Sequence, residues 1–97
     1  MPQYPYSLPS GGTLNSLVIS ANTVVKPAPG QVCTVNILTA GTTSGSIHDC
    51  TTVGAATSGN VTMQLPNTVG SLHAPFKHSA GITVIPGTGQ VLSVAYE

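Results

Sequence analysis

From Thr13 to the end of the 97 residues, short runs dense in valine, isoleucine and threonine are cut apart by clusters of glycine, proline, asparagine and serine. That punctuation is the tightest constraint on the fold, because proline breaks a helix interior and glycine weakens one. Short β-branched runs between turn signals read as the strands of a sandwich or barrel. The spacing predicts strands near 14–20, 23–26, 31–39, 45–50, 60–65, 69–76, 81–85 and 90–96. No segment has a helical period, and no repeat at a solenoid period is visible, which argues against a β-helix. The expected fold is all-β: a small antiparallel β-sandwich, jelly-roll-like or Ig-like, over residues 14–97.

Turn chemistry gives local expectations. Lys26-Pro27-Ala28-Pro29-Gly30 loses two backbone donors and ends in a residue free to take positive φ, so it reads as a turn. Ala40-Gly41-Thr42-Thr43-Ser44-Gly45 is expected to join two antiparallel strands, and Pro86-Gly87-Thr88-Gly89 to close a hairpin between Ile82-Thr83-Val84-Ile85 and Val91-Leu92-Ser93-Val94. The low-complexity stretch 51–59 reads as a loop. In the third run, alternation puts Cys33, Val35 and Ile37 on the expected core face and Val32, Thr34, Asn36 and Leu38 on the other. The last run is partly apolar on both faces, as a central or covered strand would be.

Residues 1–13 form a different unit. Three prolines within the first nine residues and the pair Gly11-Gly12 exclude a helix or a central strand, so an extended N-terminal arm is expected. In an extended backbone Tyr4, Tyr6 and Leu8 point the same way and, with Pro5 and Pro9, make one adhesive edge for a partner.

Only Lys26, Lys77, Asp49 and Glu97 carry formal charge, 4% of the chain against about a quarter in an ordinary soluble domain. Net charge is zero, a condition that promotes association. Two lysines cannot neutralise a run of phosphates or make a polybasic membrane patch, so neither nucleic acid nor a membrane is expected as a partner. No run reaches the about 18 apolar residues of a spanning helix, and the N-terminus lacks the pattern of a secretory signal. A cytoplasmic site of synthesis follows as an expectation, and with it reduced thiols at Cys33 and Cys50. A disulfide would need both on neighbouring strands, facing one way.

Catalysis is not expected. Asp49 is the only acidic side chain before Glu97, which removes a carboxylate pair. A triad on paper would take His48 or His73, Asp49 and a serine, but adjacent strand residues such as His48 and Asp49 face opposite ways, and no Gly-x-Ser-x-Gly elbow is present. His48, His73, His78, Cys33 and Cys50 are metal-ligand types at spacings of no known zinc module, so they read as surface or interface residues with unrelated roles, and no metal or cofactor is expected. Asn60-Val61-Thr62 matches a glycosylation acceptor pattern, which means little without a secretory signal.

Three stretches carry a resemblance: Val24-Val25-Lys26 through Pro29-Gly30, Ala40-Gly41 through Gly45-Ser46-Ile47, and Gly81 through Gln90. Together they resemble short virion structural proteins of tailed bacteriophages, of the capsid decoration or cement type, over most of residues 20–96. The resemblance implies a non-enzymatic protein of the virion, assembled in the host cytoplasm, whose partners are the major capsid protein and copies of itself as a homo-oligomer, with a trimer among the fitting states. The alternative is a head or tail fibre or spike module for host-surface attachment. A receptor site of that kind wants aromatic side chains on loops, whereas two of the three tyrosines here lie in the arm. A small hydrolase or lectin is a third reading, weakened by the scarcity of acidic groups.

Overall fold

The computed structural model describes the backbone of residues 14–97 and the side chains from Val18 onward, Ala74 and Pro75 excepted. The expected arm, with Tyr4, Pro5, Tyr6, Leu8 and Pro9, lies outside the described residues. The strands are β1 (Leu14–Ile19), β2 (Thr23–Lys26), β3 (Gly30–Thr39), β4 (Gly45–His48), β5 (Val61–Leu65), β6 (Gly70–His78), β7 (Ile82–Ile85) and β8 (Val91–Tyr96). Between β4 and β5 a single 3-10 turn, Val53–Ala55, is capped by the Thr52 hydroxyl, which accepts from the Ala55 N–H at 3.2 Å. Every expected strand is present with bounds within two residues of the sequence reading.

The strands form two four-stranded antiparallel sheets, ordered β1-β8-β3-β6 and β2-β7-β4-β5. The pairs β1/β8, β2/β7, β3/β6 and β4/β5 nest inside one another like one long hairpin. Rolling that hairpin up adds β3/β8 and β4/β7, which is the jelly-roll arrangement of two antiparallel sheets.

This nesting corrects one local expectation. The turn 86–90 does not close a hairpin: like 40–44, it carries the chain from one sheet to the other, because β3 and β8 belong to the first sheet and β4 and β7 to the second. A glycine-rich loop of that length serves either purpose, and long-range pairing chose between them.

The core lies between the sheets. Ile19, Val32, Val35, Ile37, Leu92 and Val94 from the first meet Ile47, Leu65, Ile82 and Val84 from the second, all at most 3% exposed. Each such side chain contributes about 1.5–3 kcal/mol of burial before ordering costs. Val32 corrects the expected facing of β3. Against β8 the register steps from Val32↔Tyr96 to Thr34↔Ala95, so Cys33 is an extra, bulged residue and the alternation slips by one across it. Val32 therefore joins Val35 and Ile37 inside, while Cys33 is half-buried. A second bulge in β1 has Val18 at φ 53, a costly conformation for a β-branched residue, with its side chain outside and Ile19 within. β8 is central between β1 and β3, which accounts for its two apolar faces. Pro75 sits in β6, an edge strand, where a missing donor is tolerated.

Candidate functional site

Odd-numbered strands run toward one end of the sandwich and even-numbered strands return, so the connections divide between two ends. One end gathers the loops 20–22, 40–44, 66–69 and 86–90, none of which contains a charged or aromatic residue. Two of these loops, 66–69 and 86–90, are tied by Gln90, whose side chain is fully buried. Its Oε1 accepts from the Gly87 N–H at 3.0 Å and its Nε2 donates to the Pro66 carbonyl at 2.9 Å. The Thr42 N–H donates to the Thr88 carbonyl and the Thr88 N–H to Thr43 Oγ1, both at 2.8 Å. Two glycines make the packing possible. A Cβ on Gly45 would lie 2.6 Å from Gln90 Oε1, and one on Gly87 would overlap the Thr43 carbonyl. The result is a set of loops held by buried polar bonds, exposing Thr42, Thr43, Asn67, Thr68, Val69 and Thr88. Leu38, 52% exposed near the end of β3, and Val69, 67% exposed, add apolar surface beside it.

The opposite end holds all the formal charge of the chain. β2, β4, β6 and β8 finish there, and Lys26, Asp49, Lys77 and Glu97 stand within one residue of their last positions. Asp49 is a structural clamp on the β6–β7 turn. Its Oδ1 accepts from the N–H groups of Ala80 at 2.8 Å and Gly81 at 3.2 Å, and its Oδ2 from the N–H and hydroxyl of Ser79 at 3.1 and 3.2 Å. Burial works against the carboxylate, but the bonds from Ala80, Ser79 and Gly81 outweigh it and hold the carboxyl below its ordinary range. Lys26, Pro29, Gln31, Lys77, His78 and Glu97 line an open cavity of about 420 Å³. Beside it the Cys33 thiol donates to Glu97 Oε2 at 3.9 Å. Burial, then the Glu97 charge and this bond, push the thiol above its ordinary value, so it stays protonated. Cys33 and Cys50 are both free, and the Cys50 thiol donates to the Thr52 carbonyl at 3.3 Å.

The two outer sheet faces differ as well. On the first sheet a row of small polar groups runs from exposed to buried: the Ser71 hydroxyl donates to Asn36 Oδ1 at 2.6 Å, Asn36 Nδ2 reaches the buried Ser93 Oγ at 3.5 Å, and Thr34 Oγ1 lies 3.2 Å from His73 Nδ1. On the second sheet the segment after β4 folds over the strands, so that Thr83 is fully buried and donates to the Cys50 carbonyl at 3.0 Å.

Two histidines expected at the surface are buried. His48 is 5% exposed and His78 3% exposed. His78 has Nδ1 at 2.7 Å from the Gly81 carbonyl and Nε2 at 3.1 Å from Thr62 Oγ1. His48 lies between Ser46 Oγ, 2.7 Å from Nε2, and Asn60 Oδ1, 2.7 Å from Nδ1. Asn60 Nδ2 donates to the Ala55 carbonyl at 2.8 Å, which fixes Oδ1 as the acceptor and places the imidazole proton on Nδ1. Ser46 then donates to Nε2. That is the order of a nucleophile relay, but Ser46 sits inside a strand paired on both sides, where backbone N–H groups are spent on the ladder and not free to stabilise an oxyanion. The line anchors the 51–60 segment, to which Asn60 adds a bond from the Thr57 N–H at 3.0 Å. Asn60 is thus engaged through both side-chain atoms in its glycosylation-like tripeptide.

Asp49 does not join His48; it clamps its turn and lies 4.0 Å from His78 Nδ1. Among the described residues no three His, Cys, Asp or Glu side chains gather where they could hold a metal ion. Sequence reasoning missed Gln90, Asn60 and the clamp of Asp49, because each is defined by partners far along the chain. A glutamine following Gly-Thr-Gly was the one available hint of a polar tie. Comparisons with protein-family models, with curated proteins and with solved structures find no match to this chain.

Proposed function

We propose that the chain is a non-enzymatic structural protein of a bacteriophage virion, a capsid decoration or cement protein that binds the major capsid protein and neighbouring copies of itself. The observation that carries this reading is the uncharged, internally tied loop end. Interface centres are depleted in charged groups, and burying charge carries a desolvation cost that threonine, asparagine and valine avoid. Loops already held by Gln90 lose little further freedom on docking. The jelly roll recurs in viral capsid and lectin domains, but a fold alone does not decide function. The absence of aromatic residues from these loops favours cement over the host-attachment alternative.

In this reading the loop end sits on the shell and the arm staples the shell or a neighbouring copy. The experiment is co-sedimentation of the full chain with assembled capsids. Saturable binding is expected, and Thr68→Lys with Thr88→Lys should abolish it without changing the melting temperature. Deleting residues 1–12, or changing Tyr4→Ala and Tyr6→Ala together, should lower occupancy while the sandwich stays folded, since aromatic side chains commonly anchor interfaces. A full chain that never saturates capsids sinks the proposal.

A further inference from the structure

The chain's two lysines are 51 positions apart in sequence, yet both line an open cavity at the charged end. Among the described residues neither lysine makes an ion pair or a side-chain hydrogen bond, although Glu97 stands on the same wall. Both lysines stand on edge strands, where a charge also deters strand pairing, and the return of even-numbered strands to one end brings them to the same cavity. The cavity, about 420 Å³, is open to solvent and has room for a small ligand to rest between the two lysines. From this geometry we infer a binding site for a small dicarboxylate ligand, held by Lys26 and Lys77, whatever the chain does on a capsid.

The chemistry is simple. The two ammonium groups supply charge-assisted donors for carboxylate oxygens. Gln31 also lines the cavity, with its backbone N–H already given to the Glu97 carbonyl at 2.9 Å. Glu97 opposes anions at the same cavity, and removing its side-chain carboxylate should tighten binding. Pro29 gives the cavity an apolar wall for the methylene chain between the carboxylates.

The test is titration of the full chain with glutarate, followed by amide chemical shifts and calorimetry, with inorganic phosphate and propylamine as comparison probes. Saturable shifts are expected at residues 26–31, 77–78 and 97. Lys26→Met and Lys77→Met keep the aliphatic stems, and each should weaken glutarate about tenfold or more. Glu97→Gln should strengthen it, and added salt should weaken it in the unmodified chain. Equal binding of phosphate and glutarate would overturn the dicarboxylate assignment. Glutarate shifts that do not saturate, or that survive in the double lysine variant with its melting temperature unchanged, would overturn the site itself. If the double variant fails to fold, Glu97→Gln decides: unchanged or weaker glutarate binding rejects the assignment.

Discussion

The two ends of the sandwich solve one problem, closing strand connections over a thin core, four at one end and three at the other, with opposite materials. At the neutral end a buried side-chain amide bridges loops 66–69 and 86–90, and glycines let backbones touch. At the charged end a carboxylate collects the N–H groups of one turn, and the remaining charges stand around an open cavity. The neutral end is closed and presents its outer surface. The charged end carries an open hollow. The difference teaches that four charges in 97 residues are not a diluted surface but a segregated one.

The comparison breaks first if Gly87 tolerates a side chain. Gly87→Ala drives a Cβ into the Thr43 carbonyl, and a loss of about 3 kcal/mol or more is expected in denaturant unfolding. Next comes Gln90→Ala, which strands the Gly87 N–H and the Pro66 carbonyl and leaves a hole. The expected cost is about 2–4 kcal/mol, with faster amide exchange across 40–44, 66–69 and 86–90 and little change at 79–81.

Asp49→Asn tests the other end, with an expected loss of about 1–2 kcal/mol near neutral pH. The carboxyl is depressed in the folded state, so its stabilisation is present above the ordinary unfolded value and is lost as pH falls through the folded one. The gap between the unmodified chain and Asp49→Asn should therefore close on acidification below about pH 4. A gap that stayed constant would show that the clamp does not depend on charge. The smallest effect on stability is expected from Thr68→Lys and Thr88→Lys, within about 0.5 kcal/mol each by thermal melting, because both side chains are exposed. A larger loss would mean that the neutral end tolerates no charge for reasons of folding, and that its neutrality says nothing about docking.

Much of the fold was legible because strand propensity and turn chemistry are local. Each of the eight runs could be bounded by its own glycines, prolines and β-branched residues. Facing was legible where alternation is unbroken, as at Val35 and Ile37, and failed at Val32, where the Cys33 bulge resets it. Pairing was not legible. Pro86-Gly87-Thr88-Gly89 suits a hairpin locally, and only the competition of β3 and β1 for β8 shows why it crosses between sheets instead. His48 and His78 looked like surface residues because nothing near them in sequence announces the cover that Asn60 and Thr62 provide.

By itself the sequence determined an all-β chain of short strands, almost without charge, with a proline-rich leading segment unlike the rest. Those properties follow from backbone sterics and side-chain type and need no partner. Tertiary structure alone decided the jelly-roll order, the inward turn of Val32, the tie at Gln90 and the gathering of Lys26, Asp49, Lys77 and Glu97 at one end. The physical reason is the alternation of strand direction: charges scattered along the chain fall within one residue of the ends of four even-numbered strands, and strands that return to the same end bring them together.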